Sequence, residues 1–264
     1  MDDSVDIEVV WTPQVYLLSR QTIDEAELSR FLEEEGAETW QTDTLVAAEK
    51  LVEVAGRLCY QSYARPRPGG NAAYINHILE SGHGSVLEHA VFTLLITGVS
   101  RSLTHELIRH RAGWAYSQRS QRYVDESRAA FVVPPAIAED LELYLLWWEA
   151  VQAGQRAYQQ LAERLMEKLS HVEDRTLRRK RAREAARSVL PNATATEICV
   201  TANARALRHF IELRGHSAAD AEIRQLALAI LGRLQAECPH LFGDYQVVKA
   251  PDGSPEVRTP FRKV

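Results

Sequence analysis

Apolar residues recur at helical spacing over several long stretches of the chain and crowd together over shorter ones. The helical pattern runs from Leu45 to about Tyr60, through the short segment Tyr74–Ser81 that Gly82 stops, and from about Ser100 to Arg111, where Gly113 can break it. It is longest from Leu141 to Ser170, and returns over Asp174–Leu190, which must end before Pro191, over Ala204–Arg214 and over Asp220–Cys238. Strands are predicted at Ile7–Pro13 and Val15–Ser19 with a turn at Pro13, and at Ala90–Ser100, Phe131–Pro135 and Thr196–Ala202. Ala64–Asn71, with two prolines and two glycines, reads as a loop. Helices dominate and the strands are separated, which predicts a mixed α/β (α+β) fold with a β-sheet packed against several long helices, rather than a bundle. With no internal repeat, low-complexity tract or linker, residues 1–264 read as a single domain.

Composition narrows the class without naming an activity. At 45 % hydrophobic and 25 % charged residues, a chain of 264 is an ordinary globular sequence able to bury a sizeable core. No run of 18 apolar residues exists, and the opening Met1–Val10 lacks the basic start and apolar segment of a signal peptide; a cytoplasmic protein without membrane contact is expected. Three cysteines, Cys59, Cys199 and Cys238, form no CxxC pair, which suits a reducing compartment. Cys59 and Cys199 sit in apolar patterns and read as core, and Cys238 as structural. The net charge of −5 argues against a general nucleic-acid-binding surface but leaves room for a local basic pocket.

That pocket has a candidate. Arg109, Arg111, Arg119 and Arg122 fall within fourteen positions, interleaved with His110, Ser117, Gln118, Ser120 and Gln121. Guanidinium groups this dense repel one another unless anions offset them. Glu106 and Asp125 supply two carboxylates, but phosphate oxygens suit forked donors better, and the serines and glutamines add neutral hydrogen bonds. A phosphorylated ligand is the reading the chemistry favours. Elsewhere, His83–His89 (HGSVLEH) lacks the spacing of a zinc motif, while Ser85 and Glu88 fit a helix capping box. Seven Lys or Arg between Arg175 and Arg187 spread around a helix and read as a solvated face, with Arg183 and Arg187 set apart on one side.

These residues resemble the flavin-dependent thymidylate synthases. That family carries Arg-His-Arg, seven residues and then a serine, commonly within S-Q-x-S-x-R-Y. Here Arg109-His110-Arg111 and Ser117 to Tyr123 match, although eight residues separate Arg111 from Ser120, so that one is extra within Ala112–Tyr116. The blocks GRLCYQS, GHGSVLEH, TGVSRSLTHELIRHR, ARSVLPNAT, TANARALRHFIELR and AEIRQLA follow in the family's order.

The resemblance implies the thymidylate synthase-complementing fold and methylation of dUMP to dTMP. It further implies FAD as cofactor, 5,10-methylenetetrahydrofolate and NADPH as co-substrates, no metal, and a homotetramer whose sites draw on several chains. It places flavin binding on Ser85, Arg109, His110, Arg111, Gln118, Asn203, Ala204, Arg205 and His209, with His83 and Glu88 lining the flavin pocket. Nucleotide binding falls on Glu106, Leu107, Ile108, Arg109, Gln118, Arg119, Ser120, Gln121, Arg122 and Arg187, and Arg214 matches the arginine that activates the uracil ring. Glu106 stands where the family often has Gln. His110, between two arginines, is expected neutral. Rival readings are a flavoenzyme methylating another uracil, an RNA-binding protein using Arg175–Arg187, and a metal hydrolase built on His83, Glu88 and His89.

Overall fold

The computed structural model describes residues 7–65 and 68–262, so residues 1–6 of the opening segment and Pro66–Arg67 of the predicted loop lie outside the described residues. In chain order the elements are β1 (Val9–Val10), β2 (Gln14–Ser19), α1 (Glu25–Glu34), α2 (Ala47–Tyr60), α3 (Gly70–Glu80), a 3₁₀ turn (Gly84–His89), β3 (Val91–Ser100) and α4 (Arg101–Leu107). Then come β4 (Trp114–Gln118), β5 (Phe131–Val132), α5 (Pro135–Ala138), α6 (Leu141–Lys168), α7 (Arg175–Ala186) and a second 3₁₀ turn (Arg187–Val189). The chain continues through β6 (Ala195–Asn203), α8 (Ala204–Arg214), α9 (Ala221–Glu237), α10 (Pro239–Phe242), β7 (Gln246–Lys249) and β8 (Pro255–Arg258). The mixed α/β expectation holds.

Short acidic or amide side chains start most of the long helices. Asp24, Asp140, Asp174, Asn203 and Asp220 each accept a backbone N–H from the first turn of α1, α6, α7, α8 and α9. Each bond satisfies a donor the helix cannot pair internally. Among the described residues no helix is long and apolar enough to cross a membrane.

Two compact units divide the chain, each drawn from several segments. The first comprises residues up to Gln14, Ile96–Arg109 and Ser117–Ile198. Its core is Ile7, Ala129, Phe131 and Val151, with Trp147, Trp148 and Ala193 packed against them. There β1 pairs in parallel with β5, Val9 opposite Phe131, and α6 packs on α7. The second unit comprises Val15–Leu95, His110–Tyr116 and Cys199–Val264. A four-stranded sheet runs in the order β2-β3-β6-β4, and in α9 of the second unit Ile223, Leu226, Ile230 and Leu234 are fully enclosed. The antiparallel hairpin β7–β8 also belongs to it, Val247 opposite Val257.

Several expectations need correction. The helix after β3 ends at Leu107 rather than Arg111, because Ile108 already acts as its C-cap and Arg109 N–H turns back to Glu106. Ser85 caps nothing. Its segment is a 3₁₀ turn preceded by His83 with no side-chain cap, Val86 N–H bonding to His83 O, and Glu88 reaches Arg205 instead. In Ala112–Tyr116, where the extra residue falls, Ala112 and Gly113 turn and Trp114 begins β4, a strand the apolar pattern does not predict. The strands at Ile7–Pro13 and Phe131–Pro135 shrink to two residues each, and α3 begins at Gly70, four residues ahead of Tyr74.

Helix α2 buries charged residues beside its apolar Ala48 and Val52. Its buried face carries Glu49, Glu53 and Arg57, and Cys59, expected in the core, is exposed. Those charged residues are enclosed because they satisfy one another. Arg57 pairs with Glu53 at 2.7 Å, Asn71 donates to Glu53 at 2.8 Å, and the His240 N–H donates to Glu49 at 2.8 Å. Buried charge is tolerated when its partners and hydrogen bonds are complete. Cys199 is half-buried, and Cys238 is fully buried, its thiol pushed up to about 12 by that burial, as a structural cysteine requires.

Candidate active site

In the second unit the site grows from the turn between α4 and β4 and from the face of α8. Gly113 adopts φ +74°, and a Cβ there would meet Asn203 Nδ2 at 2.6 Å, so the turn needs glycine. Asn203 N–H donates to Gly113 O at 3.2 Å, and Asn203 Oδ1 accepts from Ala206 N–H at 2.9 Å. That side chain thus joins the turn to the first turn of α8. The same helix presents Arg205, His209 and Arg214, at four- and five-residue steps.

His110 sits at the centre, with 7 % of its surface exposed. Its ring packs edge-on to Phe210 at 5.1 Å and His209 at 6.0 Å, and lies tilted 6.1 Å from Trp114. Its backbone carbonyl accepts the Tyr116 hydroxyl at 2.5 Å, and Tyr116 stacks on Trp114. Arg214 Nε donates to His110 Nε2 at 3.2 Å. Burial first, then the charge of Arg214 and then His209, lower the imidazole to about 4. The neutral form expected from the sequence therefore stands, but burial and Arg214 enforce it, not the flanking arginines.

Elsewhere in this unit Arg205 pairs with Glu88 at 2.6 Å, both half-exposed, and His83 stacks on Tyr60 at 6.0 Å. Arg111, Ser85 and His209 face solvent. Tyr60 was not anticipated; only its place in GRLCYQS, ahead of the HGSVLEH block, pointed to it.

The first unit holds the remaining positions. Arg119 is occupied: Nη2 lies 3.1 Å from Ala195 O and 3.4 Å from buried Glu126, and Nη1 is 3.6 Å from Glu197. The carboxyl of Glu126 is raised by burial, against the opposing pull of Arg119 and Arg101. Arg122 rests over the Tyr123 ring with Glu184 at 3.8 Å, and its N–H donates to Ser120 Oγ at 3.4 Å. Gln118 donates to Thr104 Oγ1 at 3.0 Å. Arg183 bonds Tyr123 O and Asp125, and of the seven basic residues Arg175, Arg179 and Arg181 face solvent, whereas Arg178 bonds Val172 O and Lys180 lies over Tyr123.

Around Gln118 lies a cavity of about 430 Å³ that Arg101, Thr104, Glu106, Ile108 and Asn192 also line. Leu107, by contrast, is fully buried, so its side chain serves the core. Among the described residues of this unit, Arg101 Nη1, Arg119 Nε and Gln121 Nε2 are buried donors without a partner. Cationic and amide donors left unpaired suit a ligand rich in acceptors, as an anion is. Arg101 was missed by the motif reading, although it stands in the TGVSRS run directly after a predicted strand.

A mixed α/β fold that sets His110 against Arg214 in one unit, and leaves buried donors unpaired among the described residues of the other, accompanies a family match. The chain belongs to the thymidylate synthase complementing protein family, whose description matches residues 42–240. It is 52 % identical over 223 residues to the flavin-dependent thymidylate synthase of Mycolicibacterium gilvum, covering 84 % of this chain and 88 % of that one. A second such synthase, from Mycobacterium sp. (strain JLS), is 52 % identical over 227 residues. Among solved structures, the UMP/dUMP methylase PolB from Streptomyces cacaoi, bound with 5-Br UMP, has the same fold. It has a TM-score of 0.63 and 23 % identity, covering 90 % of this chain and 95 % of that one.

Proposed function

We propose that this chain is a flavin-dependent thymidylate synthase that methylates dUMP to dTMP, with all its residues acting as one catalytic domain. The observation that carries this reading is 52 % identity along 84 % of the chain to enzymes of that name. The carbon comes from 5,10-methylenetetrahydrofolate and the electrons from NADPH. The enzyme works as a homotetramer in the cytoplasm.

The residues present fit FAD. Arg111 and Arg205 are exposed cations for a diphosphate, and Asn203 Oδ1 is committed to the helix cap, which leaves its Nδ2 as the donor to a ligand. His83, Ser85, Glu88, Arg109, His110, Gln118, Ala204 and His209 complete the proposed flavin set. When bound, the flavin supplies hydride transfer that no side chain can perform.

The protein's part is binding and orientation. Glu106, Leu107, Ile108, Arg109, Gln118 to Arg122 and Arg187 hold the nucleotide, Leu107 through backbone only. Arg214, fixed by His110, lies against the uracil and favours negative charge developing on the ring, which makes C5 a better nucleophile. No cysteine is needed for this, and Cys238 is buried and protonated at neutral pH. Glu106 accepts a hydrogen from the sugar or the ring. The test is dTMP formation from dUMP by purified protein with FAD, the folate donor and NADPH. A colourless protein that cannot be loaded with FAD contradicts the reading.

A further inference from the structure

A cavity of about 520 Å³ lies in the second unit, between α1, the segment that follows it and α2. Its size falls within the roughly 300–1,000 Å³ of small-ligand sites. Leu28, Leu32 and Glu33 of α1 line it, with Glu38 and Trp40 of the following segment and Lys50 of α2. None of the proposed flavin or nucleotide positions does. Most of this wall precedes residues 42–240, the part of the chain that the family description matches.

Several polar groups around the cavity are already committed. Lys50 Nζ bonds both oxygens of Glu25, at 2.8 and 2.6 Å. The hydroxyls of Thr42 and Thr44 donate to Glu53 and Glu49, each at 2.7 Å. Glu33 and Glu38 are exposed, and neither forms an ion pair among the described residues. Trp40 is 8 % exposed, and its indole N–H is buried with no hydrogen-bond partner among the described residues. Tyr63 packs edge-on to the indole at 5.7 Å and Arg57 lies over the ring at 5.9 Å, which fixes it in place. A buried donor without an acceptor is costly, and an acceptor on a ligand removes that cost.

The cavity thus presents two uncompensated carboxylates, one N–H donor, and apolar surface from Leu28, Leu32 and the indole. Carboxylates repel phosphates and other anions, so a nucleotide, a flavin diphosphate or a folate is unsuited to it. An ammonium group is attracted, and a hydrocarbon body gains by leaving water for the apolar surface. We infer that this cavity binds a small organic amine. Its ammonium faces Glu33 and Glu38, its apolar or aromatic body lies against Leu28 and Leu32, and a hydroxyl or carbonyl oxygen accepts from the Trp40 N–H. This goes beyond the proposed reaction on dUMP and does not depend on it.

The test is calorimetric titration of the purified full chain with three probes that share one phenol ring and differ in charge. Tyramine is the cation, tyrosol its neutral alcohol, and para-hydroxyphenylacetate the anion. Tyramine binds about three- to tenfold more tightly than tyrosol, the scale of two solvent-exposed charge pairs. The anion binds more weakly than tyrosol. In E33Q/E38Q, which keeps the shape and removes both charges, tyramine and tyrosol bind within about twofold of each other. W40F removes the N–H and keeps the ring, and weakens tyramine and tyrosol alike by about three- to tenfold. No tyramine binding by the wild type overturns the inference. So does a preference for tyramine that survives in E33Q/E38Q, because the amine then sits elsewhere, and so does unaltered binding in W40F. Each of these outcomes leaves the reaction on dUMP untouched, since dTMP formation is read separately.

Discussion

Arg214 donates its Nε–H to Nε2 of His110 across 3.2 Å, so that nitrogen of the imidazole carries no proton. The histidine is 7 % exposed and lowered to about 4 by burial and by Arg214 itself. A neutral acceptor is what lets one cation be held beside it. Protonating the ring removes the acceptor and sets two positive charges together. Below the unfolded value of about 6.5 the unfolded chain binds a proton that the folded chain refuses, so stability falls with pH through the window from 6.5 to about 4 and is unaffected above it. The loss reaches about 3 kcal/mol at the lower end. Urea unfolding at pH 7 and pH 4.5 measures it. H110Q, which keeps an acceptor and does not titrate, should lose markedly less over the same interval. An equal loss in both proteins assigns the pH dependence elsewhere.

Removing the arginine separates chemistry from binding. R214A should lower dTMP formation by at least about a hundredfold, the scale of losing one charge-stabilising donor in a transition state. It should still bind FAD, because Arg214 is not among the proposed flavin residues. Product analysis alongside flavin absorbance reads both quantities. Near wild-type turnover refutes the ring-activating role.

The turn before β4 makes a steric prediction. At Gly113, φ is +74° and a Cβ would sit 2.6 Å from Asn203 Nδ2 and 3.0 Å from Ala206 Cβ. G113A should cost about 1–3 kcal/mol and disturb the Asn203 cap of α8. We expect a lowered melting temperature together with weaker flavin retention. Unaltered retention in a destabilised G113A would detach Asn203 from the flavin.

Away from the site, Arg208 is fully buried and forked onto Asp244 at 2.6 and 2.7 Å, with Leu241 O accepting at 2.7 Å. Tyr245 covers the guanidinium at 4.5 Å. D244A leaves that charge enclosed and should cost about 3–5 kcal/mol, visible as a lower urea midpoint. A shift below 1 kcal/mol would mean that water reaches the guanidinium.

How much of this was legible in the sequence depended on the length of the pattern. Helices α6 to α9 and strands β3 and β6 carry enough apolar repeats to be read locally. The short pieces do not. The early end of α4, strand β4 and the 3₁₀ turn at Gly84–His89 are decided by single hydrogen bonds, such as Val86 N–H to His83 O, which a capping-box pattern cannot foresee. Helix α1 was overlooked despite Asp24, whose side chain accepts from Ala26 and Glu27. The buried charge on α2 has another cause: Asn71 and His240, distant in sequence, supply partners to Glu53 and Glu49. At the site, residue types and spacing pointed to phosphate chemistry. Arg101 showed itself only once burial exposed its unpaired Nη1.

The account turns most directly on one measurement: dTMP produced from dUMP by the purified protein supplied with FAD, 5,10-methylenetetrahydrofolate and NADPH. It predicts a yellow, FAD-loaded protein that forms dTMP only when dUMP, the folate donor and NADPH are all supplied. A protein that cannot be loaded with flavin, or that forms dTMP equally well without it, would contradict the account.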